Sequence, residues 1–116
     1  MQWVDGSGLS RYNLQTPRNM IVLLQRITEL KSIEELKKLL PAGGQSGTLK
    51  DYYKAKAPYI YAKTGSLSNN HSLSGLLVTK SGKTLLFSFM NSNYTVPSTL
   101  LKEGMEGILS RIRDFY

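Results

Sequence analysis

Tyr59-Ile60-Tyr61-Ala62-Lys63-Thr64-Gly65-Ser66-Leu67 decides the reading of this chain. Tyr59, Ile60 and Tyr61 open it with the aromatic and β-branched residues that favour a strand. The run closes on a cation, a hydroxyl and a residue without a side chain. Two further strand-like runs follow, over residues 72–80 and 84–91, and Ser81-Gly82 predicts a tight hairpin between them. In the third run Leu85, Phe87 and Phe89 alternate with Leu86, Ser88 and Met90. Apolar side chains on both faces call for cover on both sides.

Working outward, the flanks supply that cover. Thr16-Pro17 reads as a helix cap followed by proline at the first helical position. Met20, Leu23, Leu24, Ile27 and Leu30 recur at helical spacing, predicting an amphipathic helix over residues 17–30. Ser32-Ile33-Glu34-Glu35 is a capping box. It opens a shorter helix with Ile33, Leu36, Leu39 and Leu40 on one side, stopped by Pro41 and Gly43-Gly44. Residues 42–58 read as a connector, with one helical turn near residues 49–53. Residues 97–116 predict a terminal helix whose stripe is Leu101, Met105, Ile108, Leu109, Ile112 and Phe115. Gly104 and Gly107 weaken it unless they let it approach the sheet closely. The expected fold is α/β of the α+β type: a small antiparallel sheet covered by helices, with the Lys63 strand at an edge.

A chain of 116 residues is one structural unit or part of one. It has no cysteine, which excludes disulfides, thiolate metal sites and cysteine nucleophiles. No His, Asp and Glu cluster has metal-ligand spacing, so neither metal nor cofactor is expected. The formal net charge is +7. One reading of that charge is a small basic, non-catalytic module that holds an anionic polymer or nucleic acid through Lys50, Lys54 and Lys56, interleaved with Tyr52 and Tyr53. No zinc-finger spacing, RNA-binding sheet signature or basic heptad region supports nucleic acid.

The other reading is catalytic. Acyl transfer from a peptide needs a nucleophile, a base, donors for the tetrahedral oxyanion and a grip on the substrate. Lys63 offers a fixed charge beside a cleft, and Thr64 a hydroxyl for a terminal carboxylate. Gly65 lets backbone come close. An edge strand leaves amides unpaired, so a peptide can lie alongside as an added strand. Ser66 would place its N–H in the oxyanion hole and its hydroxyl near the carboxylate.

The order Asp5-Gly6-Ser7-Gly8-Leu9-Ser10-Arg11, Asn13, Thr16-Pro17, Leu40-Pro41-Ala42-Gly43, Gly47-Thr48-Leu49 and Ala62-Lys63-Thr64-Gly65-Ser66-Leu67 resembles the D-Ala-D-Ala carboxypeptidase/endopeptidase family, the class C low-molecular-mass penicillin-binding proteins. The resemblance runs through nearly the whole chain. It implies a serine β-lactamase-like or transpeptidase-like fold, peptidoglycan stem peptides as substrate, β-lactams as covalent inhibitors and a periplasmic or other extracytoplasmic location. It assigns Lys63 and the Ser66 N–H to catalysis, and Lys63, Thr64, Gly65 and Ser66 to substrate binding. Two of the three boxes of such enzymes, Ser-x-x-Lys and Ser-Asp-Asn, are absent. No serine has lysine three residues on; Ser110, with Arg113, comes nearest. Ser68-Asn69-Asn70 lies in the turn after the Lys63 strand, where it cannot face that strand across a cleft. The chain is therefore expected to be the C-terminal part of such a domain, inactive alone because the nucleophile and base lie upstream. Such a piece is expected to expose apolar surface and to self-associate or melt early, which sedimentation and thermal melts check.

The remaining candidates read as structural. Ser7 between glycines is a turn, Asp5 and Arg11 an ion pair shaping a loop, His71 a loop histidine, and Tyr52 and Tyr53 surface or core residues.

Overall fold

The computed structural model describes all 116 residues. Its elements are α1 (Pro17–Leu30), α2 (Ile33–Leu39), β1 (Ile60–Leu67), β2 (Asn70–Val78), β3 (Thr84–Ser92) and α3 (Ser98–Phe115), with one 3-10 turn at Gly47–Leu49. The three strands form one antiparallel sheet in the order β1-β2-β3. No helix is long and apolar enough to cross a membrane.

The helix starts follow their caps. Thr16 Oγ1 accepts from the Asn19 N–H at 3.2 Å, with Pro17 in the first turn. Ser32 and Glu35 satisfy each other's backbone N–H in a complete capping box. The buried stripes are narrower than the periodicity suggests. In α1 only Leu24 is buried, while Leu23 and Leu30 are exposed. In α3 Met105 and Leu109 are buried, while Ile108 and Phe115 are exposed. A three-stranded sheet is too small to cover a whole helix face, and α1 lies along β3, an edge. The open apolar surface expected of this chain is present at these positions.

The strands differ from the reading in instructive ways. β2 begins at Asn70 because Ser68 and Asn69 alone make the turn, Asn69 at φ 58°. The second turn is longer than two residues. Lys80, Ser81 and Gly82 sit between Thr79 and Lys83, and Gly82 takes φ 86°. This is the three-residue hairpin with glycine in the left-handed position. β3 is only half-buried along residues 85–91, and the strand buried on both faces is β2, at residues 73–77. Alternating apolar residues in β3 had suggested otherwise, but position in the sheet decides burial.

Register sorts the side chains onto two faces. Ile60, Ala62, Thr64 and Ser66 share a face with His71, Leu73 and Leu77 and with Leu85, Phe87 and Phe89. There α3 adds Met105 and Leu109 to the main core. Lys63 and Gly65 stand on the other face, with Ser72, Ser74 and Leu76. Gly104 and Gly107 do not serve close approach, since a Cβ at either would meet nothing within 4 Å.

The connector does more than join. Gly43 N–H donates to Ile60 C=O at 2.9 Å, and Ala62 N–H to Pro41 C=O at 3.0 Å. Residues 41–43 thus pair with the start of β1 from outside the sheet. The helical turn falls at Gly47–Leu49 instead of residues 49–53.

Candidate active site

Antiparallel pairing fixes which backbone groups of β1 are free. Val78 N–H donates to Tyr59 C=O, so odd-numbered residues of β1 bond β2. Even-numbered residues point outward, as the bonds of Ile60 and Ala62 to residues 41–43 show. Cover ends at Ala62. From Thr64 onward the outward groups, Thr64 C=O and Ser66 N–H among them, lie along an open sheet edge.

The four sequence candidates therefore share an edge but not a face. Lys63 is exposed, and its ammonium donates to Thr64 C=O at 2.7 Å, curling round the strand to the open margin. It lines neither of the two hollows that flank this end of β1. Thr64 is half-buried on the α3 face, and its Oγ1 stands 2.8 Å from Thr48 Oγ1. Gly65 is exposed on the Lys63 face. Ser66 is exposed beside Thr64's face, its Oγ 2.7 Å from His71 Nδ1.

His71 corrects the reading as a loop residue. It lies in β2, 5% exposed, opposite Ser66 in the register. Burial, and then the Lys102 ammonium, hold its imidazole below the usual histidine value. It is neutral near pH 7, and the tautomer sets which partner donates in the Ser66 bond. Strand parity was the signal for it: with a two-residue turn after Leu67, residue 71 falls opposite residue 66. Thr48 and Lys102 were also missed, because they arrive from the 3-10 turn and from α3, far away in sequence.

The smaller hollow, about 90 Å³, lies on the α3 face between the 3-10 turn, β1, β2 and α3. The larger, about 330 Å³, has Asp5, Gly6 and Asn13 on one side and Gly65, Ser66 and His71 on the other. The Asp5–Arg11 segment thus borders the open end of β1, but not through an ion pair, as none of the four salt bridges joins Asp5 to Arg11. Asp5 Oδ1 instead accepts from the Ser7 hydroxyl at 2.6 Å and the Ser7 N–H at 2.9 Å, which keeps its carboxyl below the usual range. Ser7 is thereby committed to a turn. Asn13 Oδ1 accepts from the Val4 N–H at 2.7 Å and ties the loop together.

Tyr53 is a core residue, and burial followed by Glu106 pushes its phenol up. Its N–H donates to Glu106 Oε1 at 2.9 Å. Tyr52 is half-buried. Lys50, Lys54 and Lys56 are exposed, and Lys54 stands 3.6 Å from Asp51.

A family model described as the D-Ala-D-Ala carboxypeptidase 3 (S13) family matches residues 1–112. The chain is 36% identical over 97 residues to Carboxypeptidase Rv3627c of Mycobacterium tuberculosis, covering 77% of this chain and 21% of that protein. It is 33% identical over 96 residues to D-alanyl-D-alanine carboxypeptidase DacB of Haemophilus influenzae, covering 78% of this chain and 20% of that protein. The crystal structure of penicillin binding protein 4 (dacB) from Haemophilus influenzae matches with a TM-score of 0.82 at 26% identity, over 97% of this chain and 28% of that one. The structure of that protein complexed with a novel beta-lactam matches at 0.81, also at 26% identity, over 95% and 28%. The chain spans about a fifth of the length of these curated relatives.

Proposed function

The chain belongs to the D-Ala-D-Ala carboxypeptidase 3 (S13) family, and on that premise we propose that it forms the substrate-gripping edge of a serine-type D-Ala-D-Ala carboxypeptidase. The observation that carries the reading is the abrupt end of edge cover at Ala62. Residues 41–43 occupy the outer side of β1 up to that point; beyond it the Ser66 N–H faces the open margin, and the Thr64 carbonyl meets the Lys63 ammonium there. An extended peptide laid along this margin would take the place of an added strand.

The substrate on this reading is a peptidoglycan stem peptide ending in D-alanyl-D-alanine. A serine of the intact parent, assisted by a lysine base there, would attack the carbonyl carbon of the penultimate residue. The Ser66 N–H would donate to the oxyanion that forms, and the bond to the terminal D-alanine nitrogen would then break. Lys63 would stand at the margin as a positive charge, and Thr64 and Ser66 would offer hydroxyls to the terminal carboxylate. The resulting acyl-enzyme would be released by water. β-Lactams would acylate the same serine, and the domain would have the serine β-lactamase-like architecture and act outside the cytoplasm. The 116-residue chain alone would be inactive, because it contains no Ser-x-x-Lys.

Labelling of the intact parent by a fluorescent penicillin tests this. The wild-type protein should become covalently labelled, and Lys63→Ala should abolish labelling. Undiminished labelling of that variant removes the role given to Lys63, and an unlabelled wild-type parent removes the reading as a whole.

A further inference from the structure

The smaller hollow contains a charge that the Lys-Thr-Gly triplet does not account for. Thr64 and Ser66 present their hydroxyls to the α3 face, whereas the Lys63 stem leaves β1 on the opposite face. The cation bordering those hydroxyls is Lys102, from the first turns of α3. Its ammonium lies 5.7 Å from the centroid of the Tyr52 ring. No carboxylate pairs with it, as the four salt bridges of the chain all lie elsewhere. The nearby Glu106 is engaged by the Tyr53 N–H.

From these placements we propose that Lys102 is the cation of a carboxylate subsite on the α3 face, shared with Thr48, Thr64, Ser66 and His71, that takes the C-terminal carboxylate of a peptide lying on the β1 edge. The proposal rests on the substrate-edge reading above and names a residue for it. Four facts support it. The hollow of about 90 Å³ holds several waters' worth of space, room for a carboxylate. Its lining includes the aliphatic hydroxyls of Thr48, Thr64 and Ser66 and no acid. Thr48 holds Thr64 at 2.8 Å and His71 holds Ser66 at 2.7 Å, so both β1 hydroxyls are oriented before a ligand arrives. An unpaired ammonium over an aromatic ring, partly shielded from water, attracts an anion more strongly than a fully solvated lysine.

The single histidine supplies the test, because its imidazole gives one unambiguous NMR signal from the wall of the hollow. The 116-residue chain is titrated with N-acetyl-D-alanyl-D-alanine, with the C-terminal amide of that dipeptide and with acetate. The free acid should move the His71 resonances and raise its midpoint, and the amide should not. Lys102→Met should weaken the acid about tenfold, and Lys102→Arg should restore it to within about threefold. Acetate acting as strongly as the dipeptide would mean an anion site without a peptide and overturn the assignment to peptide. Lys102→Met binding like wild type would overturn the role of Lys102. Acid and amide acting alike, or neither acting, would overturn the subsite. Penicillin labelling of the intact parent reads the wider function independently, so a subsite that fails here beside a labelled parent separates the two ideas.

Discussion

The position of the open edge depends on how closely β1 and β2 approach, and Gly75→Ala tests that directly. Gly75 faces Ala62 in the register. A methyl on Gly75 would stand 2.2 Å from the Tyr61 carbonyl oxygen, 2.6 Å from Ala62 Cα and 2.8 Å from Ala62 Cβ. Carbon and oxygen in ordinary contact keep about 3.3 Å apart. The obstructing atoms are mostly backbone, so no rotamer change relieves the overlap; the strands must part by roughly 1 Å. Overpacking of this kind costs about 1–3 kcal/mol, and the immobile neighbours put it toward the upper end. Alanine lowers the entropy of the unfolded chain and recovers about 0.4–1 kcal/mol. The net loss is about 2 kcal/mol, a fall in Tm of about 8 °C for a domain of this size. Thermal and urea melts followed by circular dichroism measure it. Gly65→Ala is the control: its methyl would meet only the Ser72 hydroxyl, at 2.9 Å, which can turn aside. A Gly75→Ala protein melting within about 2 °C of wild type, or a control that loses more than Gly75→Ala, would refute the close-approach argument.

Gly104→Ala and Gly107→Ala should each stabilise the chain, because both positions are exposed and helical and a Cβ there meets nothing; the gain is about 0.5–1 kcal/mol apiece, and a drop in Tm for either would mean that α3 uses these glycines after all. His71 should make stability pH-dependent. Its folded value lies below the unfolded one of about 6.5, so the unfolded chain binds more protons between the two; stability is complete above about pH 6.5 and declines as pH falls through the folded value. Lys102 on α3 and Tyr52 and Tyr53 on the connector line the same hollow, with Asp5 and Met1 among the residues lining the larger one. Urea melts between pH 7 and 5, referenced to about the free-histidine midpoint, should show the decline in wild type and lose it in His71→Gln, and equal declines in both would assign it to other groups.

Much of the fold is legible because its signals are local. Thr16-Pro17 and Ser32 with Glu35 satisfy their helix starts through neighbours three residues away. The aromatic and β-branched start of β1 and the apolar run of β3 mark strands without any tertiary information. What escapes a linear reading depends on partners distant in sequence. Residues 41–43 look like a connector, because pairing with residues 60–62 is not written in their composition. Leu23 and Leu30 carry the right periodicity for burial, yet a sheet of three strands offers too little surface to cover them. Lys102 looks like one dispersed lysine among many until α3 crosses the sheet beside the 3-10 turn.

The triplet itself shows why a motif underdetermines a site. Successive residues of a strand point to opposite faces, so Lys63 and Thr64 cannot grip one ligand from the same side. They meet at the margin, where the Lys63 stem curls round to the Thr64 carbonyl. A ligand on that margin is then flanked by Lys63 from one face and by the Thr64 and Ser66 hydroxyls, backed by Lys102, from the other. The two lysines should accordingly differ in what they control. Lys102 borders the hollow that a terminal carboxylate would enter, so its loss should weaken recognition of the free acid relative to the amide. Lys63 bonds the strand's own carbonyl at the edge where the scissile peptide would lie, so its loss should abolish acylation even for ligands that are already bound. A variant pair in which both substitutions altered only affinity, with acylation rates unchanged at saturation, would contradict this division between face and edge.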